Sequence, residues 1–319
     1  MSKSDKLALV LSGGFIKGVA HIPIAEEMYK RGYMSDVFVG TSVGAVFAVL
    51  LGLYDDPQKV KKITLDFINS HIWPQLLAID IFSKAGLFES SEAVRHISKT
   101  AGFDGKTFAD LKKPVYITAT DLNTGKLFVF GKDKKMLLSE ALEASISFPV
   151  IFKPKKMRLN GKLAALADGG IRENCPISVA ANIPGVKRII ACDLGYCGQI
   201  KGDFNKKNAI DVFMQCLELT TSFSQINRYI YDDIFIRNKI VVRIINPGIF
   251  DILPFDFRQY SSVIKRASKT AKNIFGRFNA PDDFFSFWNS DPFRKKYLTV
   301  EHIGRKKTNA FEMVDFQRA

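Results

Sequence analysis

The stretch at residues 37–51 constrains the fold of this chain more than any other part of it. Residues 37–39 are apolar and favour a β-strand, and the apolar run at 45–51 favours a buried helix. Between them stands Gly-Thr-Ser-Val-Gly at 40–44, a G-x-S-x-G pattern. The residues two positions either side of such a serine approach each other closely, so glycine is needed at both. The pattern predicts a sharp strand–helix turn from which the Ser42 hydroxyl points outward.

The turn at Ser42 has two interpretations. A serine between a strand and a helix adopts a strained backbone conformation, and the helix N-terminus below it offers N–H groups and partial positive charge to an oxyanion. This arrangement is a nucleophile elbow, in which Ser42 attacks a carbonyl. The alternative is a tight turn in which Ser42 only caps the helix. The strand before the turn and the helix after it favour the elbow.

A second glycine-rich turn follows the apolar strand predicted at residues 7–11. It reads Ser-Gly-Gly-Phe-Ile-Lys-Gly at 12–18 and leads into a helix. Such a turn presents backbone N–H groups to an anion, either a phosphate or an oxyanion. The glycine spacing matches neither the dinucleotide-binding nor the P-loop pattern, so we favour an oxyanion hole. Because loops at the carboxyl ends of neighbouring parallel strands meet at one sheet edge, we expect Gly13 and Gly14 to approach Ser42.

An aspartate stands where a later strand breaks. Residues 163–167 read as a strand, and Asp-Gly-Gly at 168–170 follows it. A carboxylate at such a break can face a site. An Asp-Gly dipeptide is, however, most often a simple turn, and on the dipeptide alone that interpretation is the better one.

Charge and cysteine content narrow the class of protein. The 319 residues include 46 Lys and Arg against 32 Asp and Glu, a formal net charge of +14. This balance indicates an anionic partner, either nucleic acid or acidic lipid headgroups, or else a merely soluble basic protein. No nucleic-acid-binding motif stands out. Four cysteines without metal-ligand spacing argue against a zinc site and fit a reducing compartment: Cys175, Cys192, Cys197 and Cys216.

The sequence shows no targeting or membrane-spanning pattern. The first six residues are polar, and the apolar run at 7–11 is too short for a secretory signal. The longest mostly apolar run, at 43–54, is too short to cross a bilayer. We therefore expect a cytoplasmic protein, and leave open export by a route that needs no cleaved signal.

Two segments carry open alternatives. Residues 258–277 contain no acidic residue and have apolar side chains at helical spacing, which predicts a basic amphipathic helix. This helix either lies on a membrane surface, with the aromatic and basic residues of 284–307, or docks on the core by its apolar face. The apolar segment at 72–88 is either a lid or acyl-chain pocket wall, or ordinary core. A long helix is predicted at 208–231 and a last strand at 240–245.

Four motifs together resemble those of the patatin-like phospholipase family in its bacterial form. The loop at 12–18 is similar to the family's G-G-G-x-[RK]-G, and the pattern at 40–44 to its serine elbow. Ala-Ser-Ile-Ser-Phe-Pro-Val-Ile-Phe at 144–152 is similar to its A-S-x-x-x-P-x-x-F block, and 168–170 to its D-G-[GA] motif. The motifs follow the family's order, and the resemblance covers residues 7–195.

The resemblance implies a fold. This is an α/β architecture of three layers, with a parallel-rich central sheet flanked by helices on both faces and a nucleophile elbow. Residues 1–200 would form the catalytic core and 201–319 would complete it rather than form an independent domain. Two residues depart from the family's pattern: Phe15 replaces the third glycine of the loop, and Pro23 replaces a small residue early in the first helix.

The resemblance also implies a catalytic Ser–Asp dyad that needs no histidine, metal or cofactor. Ser42 would be the nucleophile and Asp168 the general base, which accepts a proton more readily when burial raises its pKa. The other implied site residues lie on the surrounding loops: the oxyanion donors Gly13, Gly14 and Phe15, the positively charged Lys17, and the supporting Gly18, Gly40, Gly44, Gly169 and Gly170.

The implied activity is hydrolysis of glycerolipid or phospholipid esters, of the phospholipase A type, through an acyl-enzyme. The expected partners are the acyl-ester substrate and an anionic membrane surface contacted peripherally, but not nucleic acid; a need for an activator protein is left open. Three alternatives remain. They are an acyltransferase on the same acyl-enzyme, a Ser–Asp–His esterase that uses His302, and a non-catalytic lipid-binding module.

Overall fold

A mixed eight-stranded sheet organises the computed structural model of the chain. The order of paired strands is β5-β6-β3-β2-β1-β7-β8, and β4 also pairs with β3. The strands are β1 (Lys6–Leu11), β2 (Val37–Thr41), β3 (Val115–Asp121), β4 (Lys126–Phe130), β5 (Lys155–Leu159), β6 (Lys162–Asp168), β7 (Val186–Cys192) and β8 (Val241–Ile245). The structure describes residues 5–69, 89–149, 151–159, 161–195, 212–213, 215–217, 219–220, 240–252 and 256–277.

Helices cover the sheet. They are α1 (His21–Lys30), α2 (Val43–Tyr54), α3 (Pro57–Asn69), α4 (Ser90–Thr100), α5 (Leu138–Ser145), α6 (Gly170–Glu173), α7 (Ile177–Ala181) and α8 (Tyr260–Phe275). Short 3-10 helices in the described residues lie at Phe15–Ala20, Phe108–Asp110 and Phe257–Gln259.

The core has two parts, one on each face of the sheet. Along β1, Leu9 and Leu11 belong to the larger part, with the buried side chains of α1, α2 and α8. Ala8 and Val10 belong to the smaller part, with those of α7. Because successive side chains of a strand point to opposite faces, this alternation shows helices packed on both sides. The predicted fold class, a helix-flanked α/β sheet in three layers, is confirmed.

Parallel pairing holds at the centre of the sheet and antiparallel pairing at one side. Strand β1 pairs in parallel with β2 and β7, as β3 does with β2 and β8 with β7. Strands β4, β5 and β6 form only antiparallel pairs. Strands β3 and β4 form one antiparallel hairpin, and β5 and β6 form another.

Strand β3 brings the elbow and the aspartate together. Thr41, the last residue of β2, pairs with Thr118 of β3. The next residue of β3, Ala119, pairs with Asp168 at the end of β6. Because β2 runs parallel to β3 and β6 runs antiparallel to it, the ends of β2 and β6 meet beside Thr118 and Ala119 of β3. This places Ser42, the residue after β2, next to Asp168.

The first helix begins differently from the prediction. The helix predicted after the glycine loop starts as a 3-10 helix over Phe15–Ala20 and becomes α1 only at His21. A 3-10 helix is wound more tightly than an α-helix, and Lys17 is one of the buried residues of this 3-10 segment. Pro23 lies in the first turn of α1, where a missing N–H has little consequence for the helix.

The C-terminal elements pack on the rest of the sheet. Strand β8 extends it beside β7, and α8 packs on α1 through a face that buries Val263, Ala267 and Ala271. The ring centroids of Tyr33 and Phe275 lie 5.2 Å apart in this contact. The basic amphipathic helix therefore docks by its apolar face, the second of its two interpretations. A division of the chain at residue 200 stays a prediction.

Some predictions fall outside the described residues. These are the segment at 72–88, most of the helix at 208–231, and everything after residue 277, including the aromatic and basic tail. Among the helices that the structure describes, none combines the length and the apolar character needed to cross a bilayer.

Candidate active site

Ser42 occupies a strained turn between β2 and α2. Its backbone has φ 55° and ψ −127°, a conformation that side-chain-bearing residues rarely adopt. Glycines make the turn possible. A β-carbon on Gly40 would lie 2.4 Å from the carbonyl oxygen of Gly44, and one on Gly44 would lie 2.1 Å from that of Leu11. The Ser42 side chain makes no capping hydrogen bond to α2. The geometry is therefore that of an elbow rather than of a capping serine.

Asp168 is held in place by its backbone. Its N–H donates to the Ser147 carbonyl at 2.9 Å, and its carbonyl accepts from the Thr120 hydroxyl at 2.9 Å. The carboxylate is 2 % exposed, and its Oδ1 accepts the Gly170 N–H at 2.7 Å. Gly169 is needed here, because a β-carbon would lie 2.3 Å from the Thr118 hydroxyl. The Asp-Gly-Gly sequence thus aims a fixed carboxylate rather than forming a free surface turn.

The environment of Asp168 makes it a better base. Burial raises the pKa of this carboxyl to about 6, against the smaller lowering effects of the Ser42 hydroxyl and the Gly170 N–H. Oδ2 is buried and accepts no standard hydrogen bond from the described residues. The contact with the Ser42 hydroxyl is therefore looser than a standard hydrogen bond. Oδ2 is the oxygen available to a proton.

The glycine loop lies directly against Ser42. A β-carbon on Gly13 would lie 3.0 Å from the Ser42 β-carbon and 2.5 Å from Oδ1 of Asn174, so only glycine fits. The Gly13 N–H donates to the Asn174 carbonyl at 3.1 Å and is thereby occupied, in contrast to its predicted role as an oxyanion donor. The N–H of Gly14 donates no hydrogen bond within the described residues.

A further donor lies on the elbow itself. Val43 is the first residue of α2, so its N–H has no partner within the helix and lies next to Ser42. The sequence-based expectation placed the oxyanion donors only in the glycine loop. The G-x-S-x-G pattern could also have indicated Val43, because the N–H after the serine of such an elbow commonly binds an oxyanion. Gly18 lets the loop approach this point: a β-carbon there would lie 2.6 Å from both Val43 methyl groups.

Phe15 adopts a backbone conformation that glycine would adopt without strain. Its φ is 50°, in the left-handed region where a β-carbon is unfavourable. The phenyl ring packs edge-on against Phe148, with centroids 5.2 Å apart. Phe15, in place of the family's third glycine, therefore preserves the turn of the loop and adds an aromatic side chain that packs on Phe148.

Buried polar side chains support the loop from below. The Nε2 atom of His21 lies 2.9 Å from the Ser12 carbonyl oxygen, and burial lowers the pKa of His21 to about 4, so the ring is neutral at pH 7. The Ser12 hydroxyl accepts the N–H of Leu194 at 2.9 Å. Lys17 is 1 % exposed and lies in the 3-10 helix that follows the loop.

The 144–152 block also contacts the site. The Ser145 hydroxyl, at the end of α5, accepts the backbone N–H of Ser42 at 2.9 Å. Two residues later, the Ser147 carbonyl holds Asp168, and the Ser147 hydroxyl donates to the Glu143 carbonyl at 2.6 Å. This block therefore fixes the backbones of both predicted dyad members.

An apolar cleft begins beside the elbow. It lies between the 3-10 helix that follows the glycine loop and the facing sides of α2, α3 and α4. Val43, Val46, Phe47 and Leu50 line it. Their spacing of three, four and seven residues places them on one face of α2. Phe15 forms part of the wall near Ser42.

The described residues offer no metal site. Within the described residues, no group of three or more His, Cys, Asp or Glu side chains could hold a metal ion. The alternative base His302 lies outside these residues, so the structure does not place it.

Comparison with known proteins agrees with this geometry. Residues 9–181 match the family model for patatin-like phospholipases, which is more than half of the chain. The chain belongs to the patatin-like phospholipase family. The matched region contains the elbow, the glycine loop and the Asp-Gly-Gly turn, so the resemblance drawn from the four motifs is confirmed.

Relatives within the patatin-like phospholipase family are distant. "Patatin-like phospholipase domain-containing protein 6" of Homo sapiens is 27 % identical over 194 residues, which are 60 % of this chain and 13 % of that protein. "Uncharacterized NTE family protein Rv1063c" of Mycobacterium tuberculosis is 30 % identical over 185 residues, 57 % of this chain and 47 % of that protein. The chain thus spans less than two thirds of the length of these relatives.

Solved structures give a similar picture. VipD from Legionella pneumophila is 14 % identical, with a TM-score of 0.48 over 86 % of this chain and 67 % of that one. ExoU, in its complex with SpcU from Pseudomonas aeruginosa, is 15 % identical, with a TM-score of 0.40 over 88 % of this chain and 54 % of that one. Family membership therefore rests on the match of residues 9–181 and not on these distant structures.

Proposed function

We propose that the chain is a lipid acyl hydrolase of the phospholipase A type, which works through a Ser42–Asp168 dyad and an acyl-enzyme. The observation that carries this proposal is the buried Asp168 carboxylate beside the strained Ser42, with one oxygen available to a proton. An isolated aspartate is a weak base, and burial corrects this by raising its pKa towards neutrality.

The reaction proceeds in two halves. As the Ser42 oxygen bonds to the ester carbonyl carbon, its proton passes to Oδ2 of Asp168. The carbon–oxygen bond to the glycerol then breaks, and the leaving alkoxide takes that proton. In the second half, water gives a proton to Asp168 and attacks the acyl-enzyme. The products are a free fatty acid and the regenerated Ser42 hydroxyl, with the proton returned from Asp168.

Backbone N–H groups stabilise the oxyanion in both halves. We assign this role to Val43 at the N-terminus of α2 and to Gly14 and Phe15 of the glycine loop, rather than to Gly13, whose N–H is occupied by Asn174. Each well-placed donor contributes about 3–4 kcal/mol to the transition state. The buried charge of Lys17 adds positive potential near the same point.

The proposal includes the surface on which the substrate is met. Lys265, Lys269 and Lys272 form an exposed row along α8, and none of them has an ion-pair partner among the described residues. Such a row attracts the headgroups of acidic lipids, which supports peripheral contact with an anionic membrane. Because the apolar face of α8 is buried in the core, this contact is electrostatic.

Labelling with a fluorophosphonate serine probe tests the dyad. We expect the wild type to label, Ser42→Ala not to label, and Asp168→Asn to label about 100-fold or more slowly, the usual range for loss of a general base. Because the proton acceptor must be ionised, the wild-type rate should fall as the pH drops through about 6.

A matched control separates the base from a merely buried acid. Asp193 also follows a strand end and is 9 % exposed, but its carboxylate binds the Gly195 N–H at 2.9 Å. Asp193→Asn should label near the wild-type rate. Full labelling of Asp168→Asn together with loss in His302→Ala would assign a Ser–Asp–His triad instead. Wild type that never labels, even with anionic vesicles, would favour a lipid-binding module.

A further inference from the structure

We propose that the apolar cleft along α2 is the binding site for the acyl chain and that it accommodates about eight carbons. The inference rests on the proposed hydrolase function, since it places the acyl half of the substrate. It predicts that activity depends on the length of the acyl group, and that the side chains lining the cleft set this dependence.

The cleft starts at the residue that follows the proposed nucleophile. Val43, which lines it, directly follows Ser42, so an acyl group bonded to the Ser42 oxygen lies at its entrance. The lining of α2 continues to Leu50, seven residues later, which is about 10 Å at the rise of an α-helix. An extended alkyl chain built from bonds of about 1.5 Å advances about 1.3 Å per carbon, so about eight carbons span this length.

The lining suits an alkyl chain and little else. The α2, α3 and α4 walls present mostly Val, Ile, Leu and Phe side chains. The hydroxyl of Thr64, a polar residue in the wall, is already used, since it donates to the Val60 carbonyl at 2.8 Å. An apolar space of this kind stays dry and binds hydrocarbon. Each methylene that enters it raises affinity about fourfold.

The two ends of the cleft define its length. At the near end, the Phe15 ring is fixed against Phe148 and forms a wall beside Ser42. At the far end, the Ala101 carbonyl accepts a hydrogen bond of 2.6 Å from the hydroxyl of Tyr54, the last residue of α2. Thr100 next to it is exposed, so a longer chain leaves the apolar lining and enters water.

A series of p-nitrophenyl esters tests the length. For the wild type, kcat/KM should rise about fourfold per methylene from the acetyl to the octanoyl ester and then level off. Val46 lies one turn beyond Ser42, lines the cleft and is only half-buried, so a large side chain there blocks the cleft. Val46→Trp should lower the ratio of octanoyl to acetyl kcat/KM on the order of 100-fold. Val46→Phe should give a smaller loss of the same kind.

The control variant is Val179→Trp, which enlarges a half-buried valine of α7 that does not line the cleft. It should keep the wild-type chain-length profile. A wild-type kcat/KM that climbs steadily to the palmitoyl ester, or an unchanged profile in Val46→Trp, would overturn the assignment of the cleft.

A binding measurement separates this inference from the proposed reaction. Titration calorimetry with fatty acids of four to twelve carbons on Ser42→Ala needs no turnover. Affinity should rise to about eight carbons, and the added change Val46→Trp should remove that rise. Length-dependent binding without any esterase activity would support the cleft and sink the hydrolase. Esterase activity that ignores chain length, with no fatty-acid binding, would do the reverse, and absence of both would sink both.

Discussion

At Asp168, the ionised carboxylate that the proposed reaction needs makes the folded protein less stable. Folding buries the carboxyl and raises its pKa from the usual 3.8 to about 6. A raised pKa in the folded state means that the ionised form is less favourable there than in the unfolded chain. The stability of the protein is therefore highest below about pH 4 with respect to this group. It falls as pH rises through the interval up to about 6 and stays lower above it.

This predicts that Asp168→Asn stabilises the protein at neutral pH. A shift of about two pKa units corresponds to about 3 kcal/mol, which the neutral amide avoids, while its oxygen can still accept the Gly170 N–H. Urea unfolding of wild type and variant should differ by up to that amount at pH 7 and by much less at pH 4. An equal difference at both pH values would show that the charge of Asp168 is not its cause.

At the scale of residues, the sequence predicted which residues would form the candidate site but not the hydrogen bonds they make. The glycines around Ser42 predicted the elbow, because close packing there admits only glycine, whereas Asp168 was singled out only by the resemblance of 168–170 to the family's D-G-[GA] motif. The engagement of the Gly13 N–H by the Asn174 carbonyl was not predictable, because it joins residues 161 positions apart through tertiary packing. The left-handed backbone conformation of Phe15 was not predicted for a related reason. Its ring packs on Phe148, and no local sequence pattern connects these two residues.

At the scale of elements, the sheet was predictable in outline and the cleft was not. The apolar strands at 7–11 and 37–39 have local signatures, and both were confirmed as neighbouring parallel strands. The cleft has walls from α2, α3 and α4 together with the 3-10 helix after the glycine loop. Each of these elements is simply amphipathic when read alone. The space between them depends on how the helices cross, which hydrophobic periodicity does not determine.

The end of α5 is coupled to the start of α2. The Ser145 hydroxyl accepts the Ser42 N–H and so helps to hold the strained turn. Ser145→Ala would leave that N–H without its partner, at a cost of about 1–3 kcal/mol where it is buried. Because the turn sets the direction of the Ser42 hydroxyl, we expect the fluorophosphonate labelling rate to fall about tenfold.

Ser147 provides the comparison for this prediction. It lies in the same block and is equally buried, but its hydroxyl bonds to the Glu143 carbonyl and does not contact the elbow. Ser147→Ala should reduce the unfolding free energy to a similar extent and leave the labelling rate of folded protein nearly unchanged. Equal labelling losses in the two variants would mean that general destabilisation, not the orientation of Ser42, explains the effect.

For the whole molecule, the distribution of charge matters more than its total. The formal net charge is +14, but some of the cations on and near α8 are neutralised locally. Arg258 pairs with Asp256 at 2.8 Å, and Arg266 pairs with Asp251 at 2.8 Å. The row of Lys265, Lys269 and Lys272 has no such partner in the described part of the chain. Phe257, just before α8, lines the apolar cleft, so this helix starts close to the cleft.

Reversal of this row should separate membrane binding from chemistry. Attraction to an acidic surface amounts to about 1 kcal/mol per lysine, so the triple variant K265E/K269E/K272E should bind vesicles rich in phosphatidylserine about 100-fold more weakly. Its hydrolysis of a soluble short-chain ester should stay at the wild-type rate.

The variant K126E/K132E/K135E changes three exposed lysines on and after β4 and has the same net charge. Cosedimentation with vesicles at low and high salt compares the two. If both variants lose binding equally, total charge rather than the α8 row attracts the protein to the membrane.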